Sequence, residues 1–186
     1  MRDLPSAGNM TGSLLVAHPN LRDPNFRRTI LFLSHHNADD GAVGLVLNRP
    51  LRKTMSEFPE HSASAAPMRR VPVFYGGPVG SEDLLLASMQ WHESPGAVSF
   101  RGFGSASEGP VIPPEFHPGL RAFQGYAGWS RGQLEGEIAE KAWLVFPPSR
   151  RLIDMPNPEG VWLDIMGHLG PVYRLLAGMP DDPSLN

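Results

Sequence analysis

Residues 128–132 read Gly-Trp-Ser-Arg-Gly. G-x-S-x-G is the elbow on which α/β-hydrolases raise a nucleophilic serine between a strand and a helix. Such a serine needs an acid and then a histidine later in the chain, and Asp154, Asp164 and His168 follow Ser130 in that order. Two features point elsewhere. Ser130 to Gln133 also spells S-x-x-Q, a capping box in which the serine oxygen takes a backbone amide and the glutamine reaches back. Asp164 and His168 stand four residues apart on one predicted helix, so their spacing pairs them with each other. Little chain remains beyond Ser130 to build a hydrolase sheet. The residue reads as a helix cap, and no catalytic residue is assigned.

The stretch His35-His36-Asn37-Ala38-Asp39-Asp40-Gly41 is dense in nitrogen and oxygen ligands. Neighbouring histidines on a strand point to opposite faces, so one at most can serve a given site. Asn and Asp there are also what a turn requires. His18, His61, His92 and His117 stand singly, with no ligand spacing between them. Gly76-Gly77-Pro78-Val79-Gly80 has the look of a phosphate loop but lacks both G-x-G-x-x-G and a P-loop lysine. No metal and no cofactor are expected.

The elements that would hold these residues are short. The chain has 186 residues, suited to one domain spanning 1–186, with 20 Gly and 20 Pro predicting many turns. It has no cysteine, which removes disulfides, thiolate metal sites and thiol nucleophiles together. A net charge of −3 gives no general pull toward nucleic acid or anionic lipid. The arginine pairs Arg27–Arg28, Arg69–Arg70 and Arg150–Arg151 read as solvated element ends rather than an anion site. No run approaches the ~18 apolar residues of a membrane span, and the first ten residues, expected to form a loose arm, lack a signal-peptide core. A cytoplasmic protein without membrane contact is the expectation.

Apolar and β-branched runs predict strands over 12–18, 28–35, 41–50, 71–80, 83–89, 96–102, 120–128 and 142–148. The second and third form a hairpin, with Pro50 stopping its return strand. Residues 104–119 suggest a packed loop, and 131–141 a helix. Trp162, Ile165, Met166 and Leu169 make an apolar helical stripe over 158–170, a core face that Gly170-Pro171 should end.

Three blocks, 12–51, 73–80 and 125–145, resemble the YqgE/AlgH family of bacterial proteins, most distinctively at Gly125–Trp129 followed by Gly132-Gln133-Leu134-Glu135. The likeness is weaker over 90–120. It implies an α+β fold, a bifurcated mixed β-sheet with a small barrel-like portion surrounded by helices. It implies no catalytic or ligand residues, because the family has no settled activity. The expectation is an uncharacterised, non-enzymatic binding or regulatory protein acting through a protein or small-molecule partner. If it uses a cleft, the place is the Gly76-Gly77 turn beside the loop Tyr126–Trp129, where glycines permit close approach and aromatics offer stacking faces. The alternatives are a transcriptional regulator binding nucleic acid through the arginine pairs, and a serine hydrolase using Ser130 and His168. Oligomeric state stays open.

Overall fold

The computed structural model describes residues 9–37, 39–61 and 66–179. Its strands are β1 (Leu14–Ala17), β2 (Ile30–Asn37), β3 (Gly41–Val46), β4 (Pro50–Thr54), β5 (Pro72–Tyr75), β6 (Val79–His92), β7 (Ala97–Ser105), β8 (Leu120–Trp129) and β9 (Trp143–Phe146). Its helices are α1 (Ala66–Arg69), α2 (Gln133–Ala139), α3 (Arg150–Asp154), α4 (Val161–Leu169) and α5 (Pro171–Gly178). The strands run β4-β5-β8-β3-β2-β1-β9, and β6 leaves this path by pairing with both β8 and β7.

The fork lies in β8. Its first half is held between β5, in parallel, and β6, antiparallel, while its last three residues pair with β3. The result is a mixed sheet bent into an open half-barrel with helices around it, an α+β fold. It is the bifurcated arrangement expected from the family likeness. No helix among the described residues is long and apolar enough to cross a membrane.

One core lies between the sheet and α3–α5, built on Leu14, Ile30, Phe32, Phe123, Trp162 and Met166. Trp162 locks α4 to the sheet, its indole N–H donating to the Ala17 carbonyl at 2.8 Å. A second core on the opposite face joins Leu15, Leu31, Trp129 and Trp143 to Leu134 of α2. A third packs β4–β6 and β8 around Met55, Leu84 and Ala122. Arg121 of β8 lies over the Phe74 ring and donates to the Ile153 carbonyl, tying α3 to the sheet. Burial disfavours its charged form, and nearby Asp154 partly offsets that.

The differences from the expected elements have local causes. The 41–50 strand ends at Val46, because the Asn48 side chain takes over: Oδ1 accepts the Ile30 amide and Nδ2 donates to the Arg28 carbonyl. Pro50 opens β4 rather than stopping a strand, a position that needs no ladder donor. The 71–80 strand breaks at Gly76-Gly77, and residues 79–92 form one long strand instead of beginning at 83. Gly170 does end α4, but Pro171 starts a new helix at once, proline being favoured in a first turn. Leu169 is exposed rather than in the core stripe. Of the expected arm, residues 1–8 lie outside the described residues. Met10 is anchored, its amide donating to His36 Nδ1 at 3.1 Å.

Candidate functional site

The structure brings Gly76, Gly77 and Tyr126 together, but backbone against backbone. A Cβ on Gly76 would stand 2.1 Å from the Gly125 carbonyl oxygen, and one on Gly77 2.1 Å from the Tyr126 carbonyl carbon. The close approach that the glycines permit is taken by β8 itself. Tyr126 is half-buried against the main core. Trp129 is only 5% exposed, stacks near Phe26, and donates its indole N–H to Glu137 Oε2 at 2.9 Å. The same oxygen accepts the Trp143 indole N–H at 2.7 Å, so a single carboxylate on α2 holds both rings.

Ser130 half fulfils its reading. Gln133 Oε1 reaches back to the Ser130 amide at 3.0 Å, as a capping box requires. Its hydroxyl caps nothing, because Gly132, at φ +73°, resets the chain and is itself the N-cap of α2. Asp164 and His168 do meet, although through the Asp164 backbone: His168 Nδ1 lies 2.6 Å from that carbonyl oxygen. The Asp164 carboxylate instead pairs with Arg151 at 3.0 Å. No hydrogen bond among the described residues joins Ser130 to a histidine or an acid.

His35 and His36 face opposite sides, as alternation requires. His36 is 3% exposed, with Nδ1 accepting from Met10 and Nε2 lying 3.0 Å from Glu135 Oε1. Those bonds place its proton on Nε2. Asp40 accepts from Asn37, and Asp39 lies 3.5 Å from Arg131. Among the described residues no three histidines and acids converge as metal ligands. Arg150 pairs with Glu93 and Asp154, and the Arg28 guanidinium lies over the Trp162 ring.

The surface that stands out is elsewhere. Seven large apolar side chains are exposed among the described residues, and five of them sit on or beside α4 and α5: Leu163, Leu169, Val172, Leu175 and Met179. On α5, Tyr173, Leu176 and Ala177 turn inward, while Val172, Leu175 and Met179 follow one another at i, i+3, i+7 on the outer side. Val172 is 67% and Leu175 71% exposed. Covering either side chain fully would contribute about 1.5–3 kcal/mol.

The same face holds two hollows. One, of about 570 Å³, is lined by Pro171, Arg174, Leu175, Gly178 and Met179. The other, of about 280 Å³, is lined by Leu163, Asp164, Gly167, His168 and Arg174. Arg174 is the wall between them, its guanidinium donating to the Gly167 carbonyl at 3.3 Å.

The AlgH-like family model, DUF179, matches residues 14–174, from β1 into α5. The chain belongs to the AlgH-like family. UPF0301 proteins of Streptomyces avermitilis and Streptomyces coelicolor are each 35% identical to it over the whole of both chains. The solution structure of AlgH from Pseudomonas aeruginosa matches 97% of this chain and 98% of its own, at 26% identity and a TM-score of 0.60. A crystal structure of a Corynebacterium diphtheriae protein matches 96% of this chain and 95% of its own, at 22% identity and a TM-score of 0.66, and shows the same fold. This AlgH-like chain therefore carries the family domain through the segment 90–120, which forms the end of β6, all of β7 and the turns leading to β8.

The α4–α5 face escaped the reading of the sequence. Gly170-Pro171 looked like the end of ordered helix, and Val172 and Leu175 carry no mark of exposure in their type. The one available signal was a mostly apolar stretch, 172–177, interrupted by Arg174 and continuing past a helix stop.

Proposed function

We propose that this AlgH-like protein is a cytoplasmic, non-enzymatic binding protein that works by docking a protein partner on its α4–α5 face. The observation that carries the reading is the concentration of exposed Leu163, Leu169, Val172, Leu175 and Met179 around two adjoining hollows. Apolar patches of this kind are costly to leave in water and are retained where a partner covers them. A reducing compartment suits a cysteine-free chain. A partner reading is favoured over a nucleic-acid one because Arg150 and Arg151 are committed to Glu93, Asp154 and Asp164.

The test is co-purification from the native host with three tagged proteins: wild type, the double variant Val172→Asp/Leu175→Asp, and Val111→Asp. Val111 is 91% exposed and stands apart from the face. The reading expects a protein retained by the wild type and by Val111→Asp but lost from the double variant, with all three melting alike. The same retained set on all three would overturn it.

A further inference from the structure

We infer that the occupant of this groove is an apolar segment of a partner protein bearing a carboxylate that Arg174 receives, an inference that rests on the α4–α5 face being the docking surface. Arg174 is the only residue of α5 that is charged at neutral pH, and it lines both hollows. Its hydrogen bond goes to the Gly167 carbonyl, and among the described residues no carboxylate pairs with it. Arg52, Arg150 and Arg151, by contrast, each hold a carboxylate within 3.0 Å. Asp164, the one acid lining either hollow, is paired with Arg151 at 3.0 Å. The larger hollow thus presents apolar walls beside a guanidinium that no carboxylate among the described residues pairs with.

The shape indicates what kind of segment this is. Leu175 and Met179 line the larger hollow, Val172 stands exposed one turn before Leu175, and the eight residues of α5 rise about 12 Å. A helix laid into such a groove presents anchors at i, i+3 or i+4, and i+7. About two turns span the face, with an acid among the apolar anchors to meet Arg174. A guanidinium can grip that acid with two parallel hydrogen bonds, which fixes register as well as charge. A second copy of this chain fits poorly through the same face. α5 itself contains no acid, so a second copy docked through α5 brings Arg174 no carboxylate from that helix.

The experiment is selection of displayed 16-residue helical peptides on the full-length protein, with Leu175→Asp and Arg174→Glu as parallel baits. Wild type is expected to enrich peptides with Asp or Glu beside apolar residues at i, i+3 or i+4 and i+7. Arg174→Glu should select Lys or Arg at that position, and Leu175→Asp should select nothing. For the best peptide, measured by fluorescence anisotropy, acid-to-amide exchange and Arg174→Gln should each weaken binding about tenfold, and together no further than either alone. Selected peptides without an acid, or unchanged binding to Arg174→Gln, would overturn this inference and leave the docking face standing. Peptides selected equally by Leu175→Asp would remove the docking face itself. A wild-type dimer in light scattering that Leu175→Asp dissolves would make the occupant a second copy, and the inference would fall. Both residues are exposed, so melting curves matching wild type separate these outcomes from misfolding.

Discussion

Alanine at Gly76 tests the strand crossing that organises the sheet. Gly76 has an ordinary backbone conformation, so the whole cost of a side chain there comes from contact. Its Cβ would lie 2.1 Å from the Gly125 carbonyl oxygen and 2.9 Å from the Phe123 Cβ. The nearer atom is backbone, so relief requires β5 and β8 to separate. That movement strains the Gly76 amide bond to the Gln124 carbonyl and the Val46 amide bond to the Gly76 carbonyl, both 2.9 Å. Overpacking costs about 1–3 kcal/mol, and two weakened hydrogen bonds add roughly 0.5–1.5 each, so Gly76→Ala should lose about 4 kcal/mol. In a domain this size, that lowers Tm by about 8–16 °C.

Gly109→Ala is the control. Gly109 has φ +64° and nothing within 4 Å of a Cβ, so it isolates the left-handed backbone penalty, about 1–2 kcal/mol. Scanning calorimetry of both variants decides the matter. A Gly76→Ala protein that melts no lower than Gly109→Ala would refute the close-packed crossing.

Glu137→Leu should leave two buried indole N–H groups unpaired, cost about 2–5 kcal/mol in urea denaturation, and shift tryptophan emission; unchanged stability would break the assigned bridge. Trp162→Ala removes a buried ring and its bond to the Ala17 carbonyl, for an expected loss of about 3–5 kcal/mol by the same assay. Partial burial opposes ionisation of Asp83, but hydrogen bonds from the Ser105 hydroxyl, the Leu84 amide and the Ser107 hydroxyl, with His61 nearby, outweigh it and hold its carboxyl below the usual value. Its stabilisation is therefore complete above the unfolded-state pKa of about 3.9 and lost as pH falls through the lower folded value. Melting curves from pH 5 to pH 2 should show a gap between wild type and Asp83→Asn that closes toward the acid end; a constant gap contradicts the assignment.

Much of the fold was legible in the residues, for reasons that also explain the misreadings. Buried strands such as Leu14–Ala17 and Ile30–Leu33 announce themselves as short apolar runs between turn formers. Proline was harder, because a residue without an amide proton ends one element and begins the next equally well. Pro50 and Pro171 sit where a stop is expected and each starts an element. The S-x-x-Q box was legible in its side-chain reach, but the left-handed Gly132 moved the helix start past Ser130. The tight approach at Gly76-Gly77 was legible too, whereas its occupant, the backbone of β8, depends on a pairing between distant segments. The α4–α5 face was hidden for a different reason. α5 carries apolar residues inward, at Tyr173, Leu176 and Ala177, and outward, at Val172 and Leu175, and residue type alone does not say which of them meet the core.

A docking face at α4–α5 is a covered surface in the cell. Its most direct test is a photo-crosslinking residue placed at Leu175 and, separately, at Val111, irradiated in the native host. The expected result is a discrete adduct with one protein from position 175 and none from 111. Indistinguishable adducts from the two positions, or none from position 175, would contradict it.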